Sequence, residues 1–315
     1  MTELPEGLRF RRAALRDDPR ILDLFRASFA REISPSVWDW LNSKCPTGRN
    51  RTSLVEDVKS GQLVASYSLL PIRLRFNGQE TKASLCTNVN THPDYQGRGL
   101  FTKLGRYALA GEAQQTTRVS LGMPNRKAYP GHMAVGWQVM CPLPFLVKHH
   151  CSSRHHSCRE VESFDSRMDQ FHARLSERFS FIILKDHAFM NWRVAERPGR
   201  QYTRFVCEEG QELRGYVVLK QFEEQGYRKA HILDIHADSS EILRELLAAA
   251  ESLAQGQDEL NLWTNPHNPY ANEFLACGFS ERESQDLLII HFNYGTNEAV
   301  QDGPWWFCLA DNDVY

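Results

Sequence analysis

The sequence predicts an α/β (α+β) protein of two domains, each a mixed, mainly antiparallel sheet flanked by helices. Three observations carry this. The 315 residues are about twice the roughly 150 of an average domain. One order of elements occurs twice: two β segments, a helix, a short strand, a short helix and a Gly-aromatic pair. In the first half, turn residues join neighbouring β segments, which pairs them antiparallel.

Two helical patterns open the chain. From Pro19 to Ile33, Ile21, Leu22, Phe25 and Phe29 fall on one face, and Ser34-Pro35 then offers a cap and a first-turn proline. β patterns follow from Leu63 to Phe76 and from Ala83 to Thr91, joined through Asn77-Gly78, a strong signal for a tight hairpin. After Pro93 the period changes. Leu100, Phe101, Leu104, Tyr107, Ala108 and Leu109 suit a helix packed on the sheet, opened by Gly97 and Gly99. A strand from Val119 to Gly122 leads through Pro124-Asn125 to a helix that Pro130-Gly131 should interrupt, ending at Gly136-Trp137.

The second half answers with strands from Leu213 to Phe222 and Lys229 to His236, then a helix from about Ser239 to Ala254. Leu260 to Pro266, a helix through Asn272 to Ala276, and Gly278-Phe279 complete the repeat. The polar stretch from Lys148 to Glu162 reads as the linker, which places the domains at 1–160 and 161–315.

Composition removes several classes of function. With 37 basic and 39 acidic residues the net charge is -2, so nothing draws the chain as a whole to nucleic acid or an anionic membrane. The longest apolar runs, Leu69 to Ile72 and Leu287 to Ile290, fall far short of the roughly 20 residues that span a bilayer. Met1 to Pro5 opens no secretion signal, so a cytoplasmic location is expected. Cys45, Cys86, Cys141, Cys151, Cys158, Cys207, Cys277 and Cys308 are scattered, and reduced, mostly buried thiols are the expectation. His149-His150-Cys151, His155-His156 and Cys158 offer zinc-type ligands at spacings of no standard finger, so a solvated linker is expected and no metal.

The chemistry concentrates in Asn88-Val89-Asn90-Thr91-His92-Pro93-Asp94-Tyr95-Gln96-Gly97-Arg98-Gly99-Leu100-Phe101-Thr102. Successive backbone N–H groups and the positive end of a helix dipole hold a diphosphate, and glycines allow the turn and the close approach. The run resembles the pyrophosphate-binding signature of the GNAT superfamily, in which Arg or Gln precedes two variable residues, Gly, one variable residue, and Gly or Ala. Gln96 and Gly99 match, whereas Phe101 departs at the last position, where its bulk is expected to tilt the helix or narrow the pocket. Asn125 and Gly136-Trp137 also fit, with His132 at the family's aromatic position four residues before the glycine. The likeness runs from Leu8 to about Lys148 and more weakly from Phe179 to Phe292. The second half keeps Asn265 and Gly278-Phe279, but Asp238-Ser239-Ser240-Glu241 replaces its glycine loop with acidic residues that repel a diphosphate.

The resemblance implies an acyl-CoA, acetyl-CoA or longer, as co-substrate and no metal. It implies coenzyme contacts at Val89, Asn90, Thr91, Gln96, Gly97, Arg98, Gly99, Leu100, Phe101, Thr102 and Asn125, with the Val89 and Asn90 N–H groups as oxyanion donors. His132 stands where relatives have a tyrosine acid, and an imidazolium there would protonate the leaving sulfur near neutral pH; a packed histidine is the plainer reading. Asn88 is a candidate to hold the acceptor or else satisfies its strand, and His92 simply ends it. No carboxylate lies from Ser84 to Thr91, which leaves deprotonation of the amine to water.

Asp186 to Arg193, with Pro198 and Tyr202, resembles a segment of tandem GNAT proteins that acylate nucleotide-linked amino sugars. Trp192, Arg193 and Tyr202 are its candidate substrate contacts; the alternative is a domain-interface helix with Phe189 and Trp192 buried. The tail from Trp305 to Asp313 either closes over a sugar or docks on the core. The expected function is N-acylation of the amine of a nucleotide-linked amino sugar, a small-molecule substrate. Acylation of another small amine such as an aminoglycoside, or noncatalytic sensing of acyl-CoA, are the alternatives.

Overall fold

Local chemistry sets most element boundaries in the computed structural model, which describes residues 3–295 and 302–312. Met1 and Thr2 of the opening segment and Asp313 of the tail lie outside these. After β1 (Leu8–Arg12), helix α1 (Asp18–Phe29) closes four residues before the predicted Ile33, because Ala30 turns left-handed at φ 51° and its N–H returns to Arg26 O. Ser34 Oγ accepts the Val37 N–H and Pro35 takes the first helical position, so α2 (Pro35–Ser43) starts at its cap. Strands β2 (Arg51–Asp57), β3 (Leu63–Phe76) and β4 (Gln79–Thr91) follow. The turn between β3 and β4 has Asn77 and Gly78 both at positive φ, 50° and 72°, which matches the right-handed strand twist.

Helix α3 (Leu100–Gln114), strand β5 (Val119–Gly122), helix α4 (Tyr129–Val135) and strand β6 (Gln138–Pro142) complete this half. Pro130 does not interrupt α4. It lies in the first turn, where its missing N–H would have had no acceptor.

The chain continues through β7 (Phe145–Lys148), β8 (Arg159–Glu160), α5 (Arg167–Ser176), β9 (Phe181–Ile183) and α6 (His187–Val194). Then come β10 (Thr203–Glu209), β11 (Glu212–Glu224), β12 (Tyr227–Ala237), α7 (Ser240–Leu253), β13 (Glu259–Trp263) and α8 (Ala271–Ala276). Strands β14 (Ser280–Arg282), β15 (Leu287–Phe292) and β16 (Trp305–Trp306) close it.

Two units result, one built on residues to 73, 81–140 and from 287, the other on 74–80, 141–286 and the tail. The strand order of the first is β1-β2-β3-β4-β5-β15-β6, and of the second β14-β7-β13-β12-β11-β10-β8. β4 with β5 and β12 with β13 are parallel in sheets otherwise mainly antiparallel, as predicted. The repeat is therefore exchanged along the chain: β15 follows the second repeat yet stands in the first sheet, and β7 follows β6 yet stands in the second.

In the first unit the sheet is covered on both faces. Val55, Tyr67, Leu69, Leu104, Ala108 and Trp137 pack under α3 and α4, while Ile21, Leu24, Trp38, Leu54 and Leu63 pack under α1 and α2.

The stretch expected as a solvated linker is fastened to α7 instead: Arg154 N donates to Ser252 Oγ at 2.9 Å and Ser157 N to Glu245 Oε2 at 2.7 Å. Cys158 and Cys207 form a disulfide, which corrects the expectation of reduced thiols throughout; the pairing of these positions depends on β8 lying beside β10. Among the described residues no helix is long and apolar enough to cross a membrane, and no group of three His, Cys, Asp or Glu side chains could hold a metal ion.

Candidate functional site

The parallel pair β4–β5 opens like a fork. Ala83, Ser84 and Leu85 are paired with Val119, Ser120 and Leu121; β5 then ends at Gly122 while β4 runs on to Thr91. Cys86 and Val89, an odd number of residues apart, both pack on the α3–α4 side, whereas Asn90 bonds Ser66 on the other face. Strict alternation therefore breaks along this stretch, which changes the direction of its backbone groups beside the fork. The first position beyond the last pair is packed shut on the α4 side, since a Cβ on Gly122 would lie 3.3 Å from Trp137 and from Ile289.

The glycine loop leads from β4 to the start of α3. Gly97 and Gly99 hold φ of 74° and 70°, and a Cβ added at Gly97 would meet nothing within 4 Å. No side chain caps α3, and its first backbone bond is Lys103 N to Gly99 O at 3.2 Å. The N–H groups of Leu100, Phe101 and Thr102 thus lack helical acceptors at the positive end of a 15-residue helix, an anion cradle. Gln96 Nε2 donates to Thr91 O at 3.2 Å, and Arg98 lies 4.7 Å over the Tyr95 ring while donating to Asp94 O at 2.9 Å, so both brace the loop. Asn125 Oδ1 accepts the Lys127 and Ala128 N–H groups at 3.0 Å and shapes the turn into α4.

Phe101 does not crowd the loop in the way its bulk suggested. Its ring turns to α4, where a Cβ on Gly131 would sit 2.6 Å from it, so the glycine makes room for the phenylalanine. The ring also stands edge-on to His132 at 5.0 Å.

His132 is 4% exposed, with Nδ1 3.1 Å from the Tyr67 hydroxyl and Trp137 5.2 Å away. Burial pushes its pKa down to about 4, so the ring is neutral near pH 7, which removes the imidazolium expected from its position. Only a neutral N–H relay with Tyr67 is left to it. Tyr67 was not singled out in the sequence, because a tyrosine inside an apolar strand looks like core.

In the second unit burial also pushes His231 down to about 4. In the unfolded chain both histidines take up protons near pH 6.5, but the folded protein does so only near pH 4. Stability is therefore lost as pH falls through that window. About 2 kcal/mol per histidine is expected by pH 5, read as a lower urea midpoint than at pH 7; a midpoint unchanged between these values would show that the rings reach water.

Asn88 is half-buried with Nδ2 unpartnered, and Asn90, 5% exposed, accepts Ser66 Oγ at 2.7 Å while its Nδ2 is also unpartnered. His92 Nδ1 accepts the Asp94 N–H at 3.3 Å and starts the turn, a structural part.

The second unit has its own fork, with β12 and β13 paired only at Lys229, Ala230 and His231 against Glu259, Leu260 and Asn261. There the chain's own tail fills it. Trp306 Nε1 donates to Asp234 Oδ1 of β12 at 2.9 Å, Phe307 stacks on Trp263 of β13 at 6.4 Å, and Asn265 Nδ2 donates to Trp305 O at 3.4 Å. The acidic residues read in the sequence also alter the helix entry: Ser239 Oγ caps α7 by accepting the Ile242 N–H at 3.2 Å, and Asp238 holds Arg214 at 2.6 Å.

Trp192, Arg193 and Tyr202 do not form a surface for substrate. They are 2%, 3% and 7% exposed inside the second unit, and Arg193 Nε donates to Ala310 O at 2.7 Å, fastening the tail. The helix that bears two of them buries Phe189 and Trp192, as the alternative reading expected of those two side chains.

Two family models match the chain. One, described as an acetyltransferase (GNAT) domain, covers residues 9–140, and the other, described as the acetyltransferase (GNAT) family, covers 162–279. No curated protein matches the sequence. Among solved structures the chain is similar to a GCN5-related N-acetyltransferase from Anabaena variabilis ATCC 29413, at 12% identity and TM-score 0.73 over 91% of this chain and 73% of that one. A GCN5-related N-acetyltransferase from Kribbella flavida gives 14% identity and TM-score 0.65 over 91% and 71%. The N-myristoyltransferase of Saccharomyces cerevisiae with bound myristoyl-CoA gives 11% and 0.64 over 94% and 85%. At such identities the likeness is one of fold.

Proposed function

Since the chain belongs to the GNAT N-acyltransferases, with two of their domains in tandem, we propose that its first unit binds one acyl-CoA and passes the acyl group to the amine of a nucleotide-linked amino sugar. The observation that carries the donor side is the uncapped start of α3 behind Gly97 and Gly99, placed at the open end of the β4–β5 fork. The diphosphate lies on those N–H groups and the pantetheine arm runs along β4. The closed packing of Trp137 against Gly122 suits a short acyl group.

In the reaction the neutral amine attacks the thioester carbonyl. Its oxygen takes up the negative charge, held by the N–H groups of Val89 and Asn90, and the carbon–sulfur bond then breaks. The amine's proton leaves to water, since the strand beside the fork has no carboxylate, and the thiolate takes a proton from water in turn, because Tyr67 and His132 are buried and neutral. Asn88 steadies the acceptor. The second unit takes no coenzyme, because its fork is filled.

Calorimetric titration with acetyl-CoA is expected to saturate at one site per chain, and a thiol-release assay with amino-sugar nucleotides to show turnover. Two sites per chain would overturn the division of labour between the units. Saturable binding without thiol release from any amine would make the protein an acyl-CoA sensor, and release with aminoglycosides alone would replace the acceptor.

A further inference from the structure

Where the chain passes from α6 to β10, the second unit holds a polar cleft of about 440 Å³. It lies where β8 stops short, since β8 covers β10 only at Phe205 and Val206. The chain leaving α6 turns at Gly199, φ 68°, and enters β10 at Thr203. Arg200, Gln201, Thr203 and Arg204 thus line the cleft from one short stretch, with Glu160 from β8. Arg200 and Gln201 are exposed and Thr203 and Arg204 half-buried, so the cleft is open to water.

Elsewhere in this unit Arg167 is matched by Asp165, Arg214 by Asp238 and Arg282 by Glu259. Among the described residues neither Arg200 nor Arg204 forms such an ion pair. Arg204 directs Nη1 to Val194 O at 2.6 Å and Nε to Val161 O at 3.1 Å, which leaves Nη2 over. Burial pulls its pKa below the ordinary arginine value, and Glu160 and Glu162 oppose this only through space. The half-buried cation is therefore held at a cost that no ion pair offsets. Lys220 of β11 stands between Leu219 and Gln221, which also line the cleft. Burial and the charge of Arg200 push its ammonium down to about 8, and it meets the Phe222 ring at 5.2 Å, not a carboxylate. Cations thus crowd one another beside an open, polar space.

We propose that this cleft binds an organic phosphate, with the phosphate oxygens on Arg200 and Arg204 and the hydroxyl-bearing part of the ligand on Gln201, Thr203 and Glu160. A guanidinium binds a phosphate through paired, charge-assisted N–H bonds, which are stronger than neutral ones. A phosphate monoester carries about two negative charges near neutral pH, enough to answer both guanidiniums, where a single carboxylate would leave one of them unmatched. Glu160 repels the phosphate but accepts a hydroxyl, so it sets the direction in which the ligand lies. The site belongs to the second unit, whereas the anion cradle at the start of α3 belongs to the first.

Glucose 1-phosphate and UMP are titrated calorimetrically, at millimolar concentration and physiological ionic strength, into the full chain. Saturable binding of at least one is expected, and the preference between them tells a sugar phosphate from a nucleoside phosphate. Arg200→Glu, at an exposed position without a partner to lose, should weaken that binding about tenfold or more while acetyl-CoA affinity and thermal unfolding stay as in the wild type. Gly99→Asp should do the reverse, losing acetyl-CoA and keeping the phosphate probe. No binding of either probe, or equal binding by the wild type and Arg200→Glu, overturns the site. Binding lost in Gly99→Asp and kept in Arg200→Glu would place the phosphate on the α3 cradle and overturn it as well. The phosphate probes test the cleft even where acetyl-CoA fails to bind, so the site and the acyl-transfer reading stand or fall apart.

Discussion

Gly99→Asp is expected to reduce acetyl-CoA affinity by about 100-fold or more, the equivalent of about 2.7 kcal/mol. Gly99 sits at φ 70° as the residue that opens α3, and no other side chain caps that helix. The substitution acts twice. A non-glycine residue in the left-handed region strains the turn, and a carboxylate beside the exposed N–H groups would accept them itself and repel the diphosphate. Gly99→Asn separates these effects, because asparagine tolerates the conformation and carries no charge; it should lose much less affinity. Titration of both variants checks this, and equal affinities for wild type and Asp variant would move the coenzyme away from the loop.

The second large effect is expected in the other unit. Lys185, 1% exposed, donates to Asp234 at 2.9 Å and meets Asp311 at 2.8 Å, joining β12 to the tail that fills the fork. Against the cost of burial, Lys185 together with donors from Trp306 and elsewhere holds the Asp234 carboxyl below its ordinary range, while burial and the charge of Asp234 push Asp311 up. Lys185→Met would leave both carboxyls buried without their cation, at a cost of about 3–5 kcal/mol. Lower denaturant midpoints and early proteolysis near Trp305 should follow, and Asp311→Asn on the same background should restore part of the loss. An unchanged midpoint would mean that the tail is held by its aromatic packing alone.

The hairpin at Asn77-Gly78, the cap at Ser34 and the glycine loop were legible because each depends on a few adjacent residues with one favoured backbone solution. The uncapped start of α3 behind that loop followed from the same local rule. The charge expected on His132 did not survive, because its burial is created by Tyr67, Phe101 and Trp137, residues brought together from β3, α3 and the segment after α4. The acceptor role expected of Trp192, Arg193 and Tyr202 failed for a related reason: aromatic rings and a guanidinium suit a sugar site and a buried clamp equally well, and only the arrival of the tail selects the clamp.

The sequence by itself determined the two-domain repeat and the position of the glycine loop before a helix, since periodicity and turn chemistry act over a few residues. Tertiary structure alone decided the exchange of β7 and β15 between the sheets and the filling of the second fork by Trp305 to Asn312. Each of these depends on which distant segment reaches a given strand edge or face, and pairing energies between strands are too alike for local pattern to choose the partner.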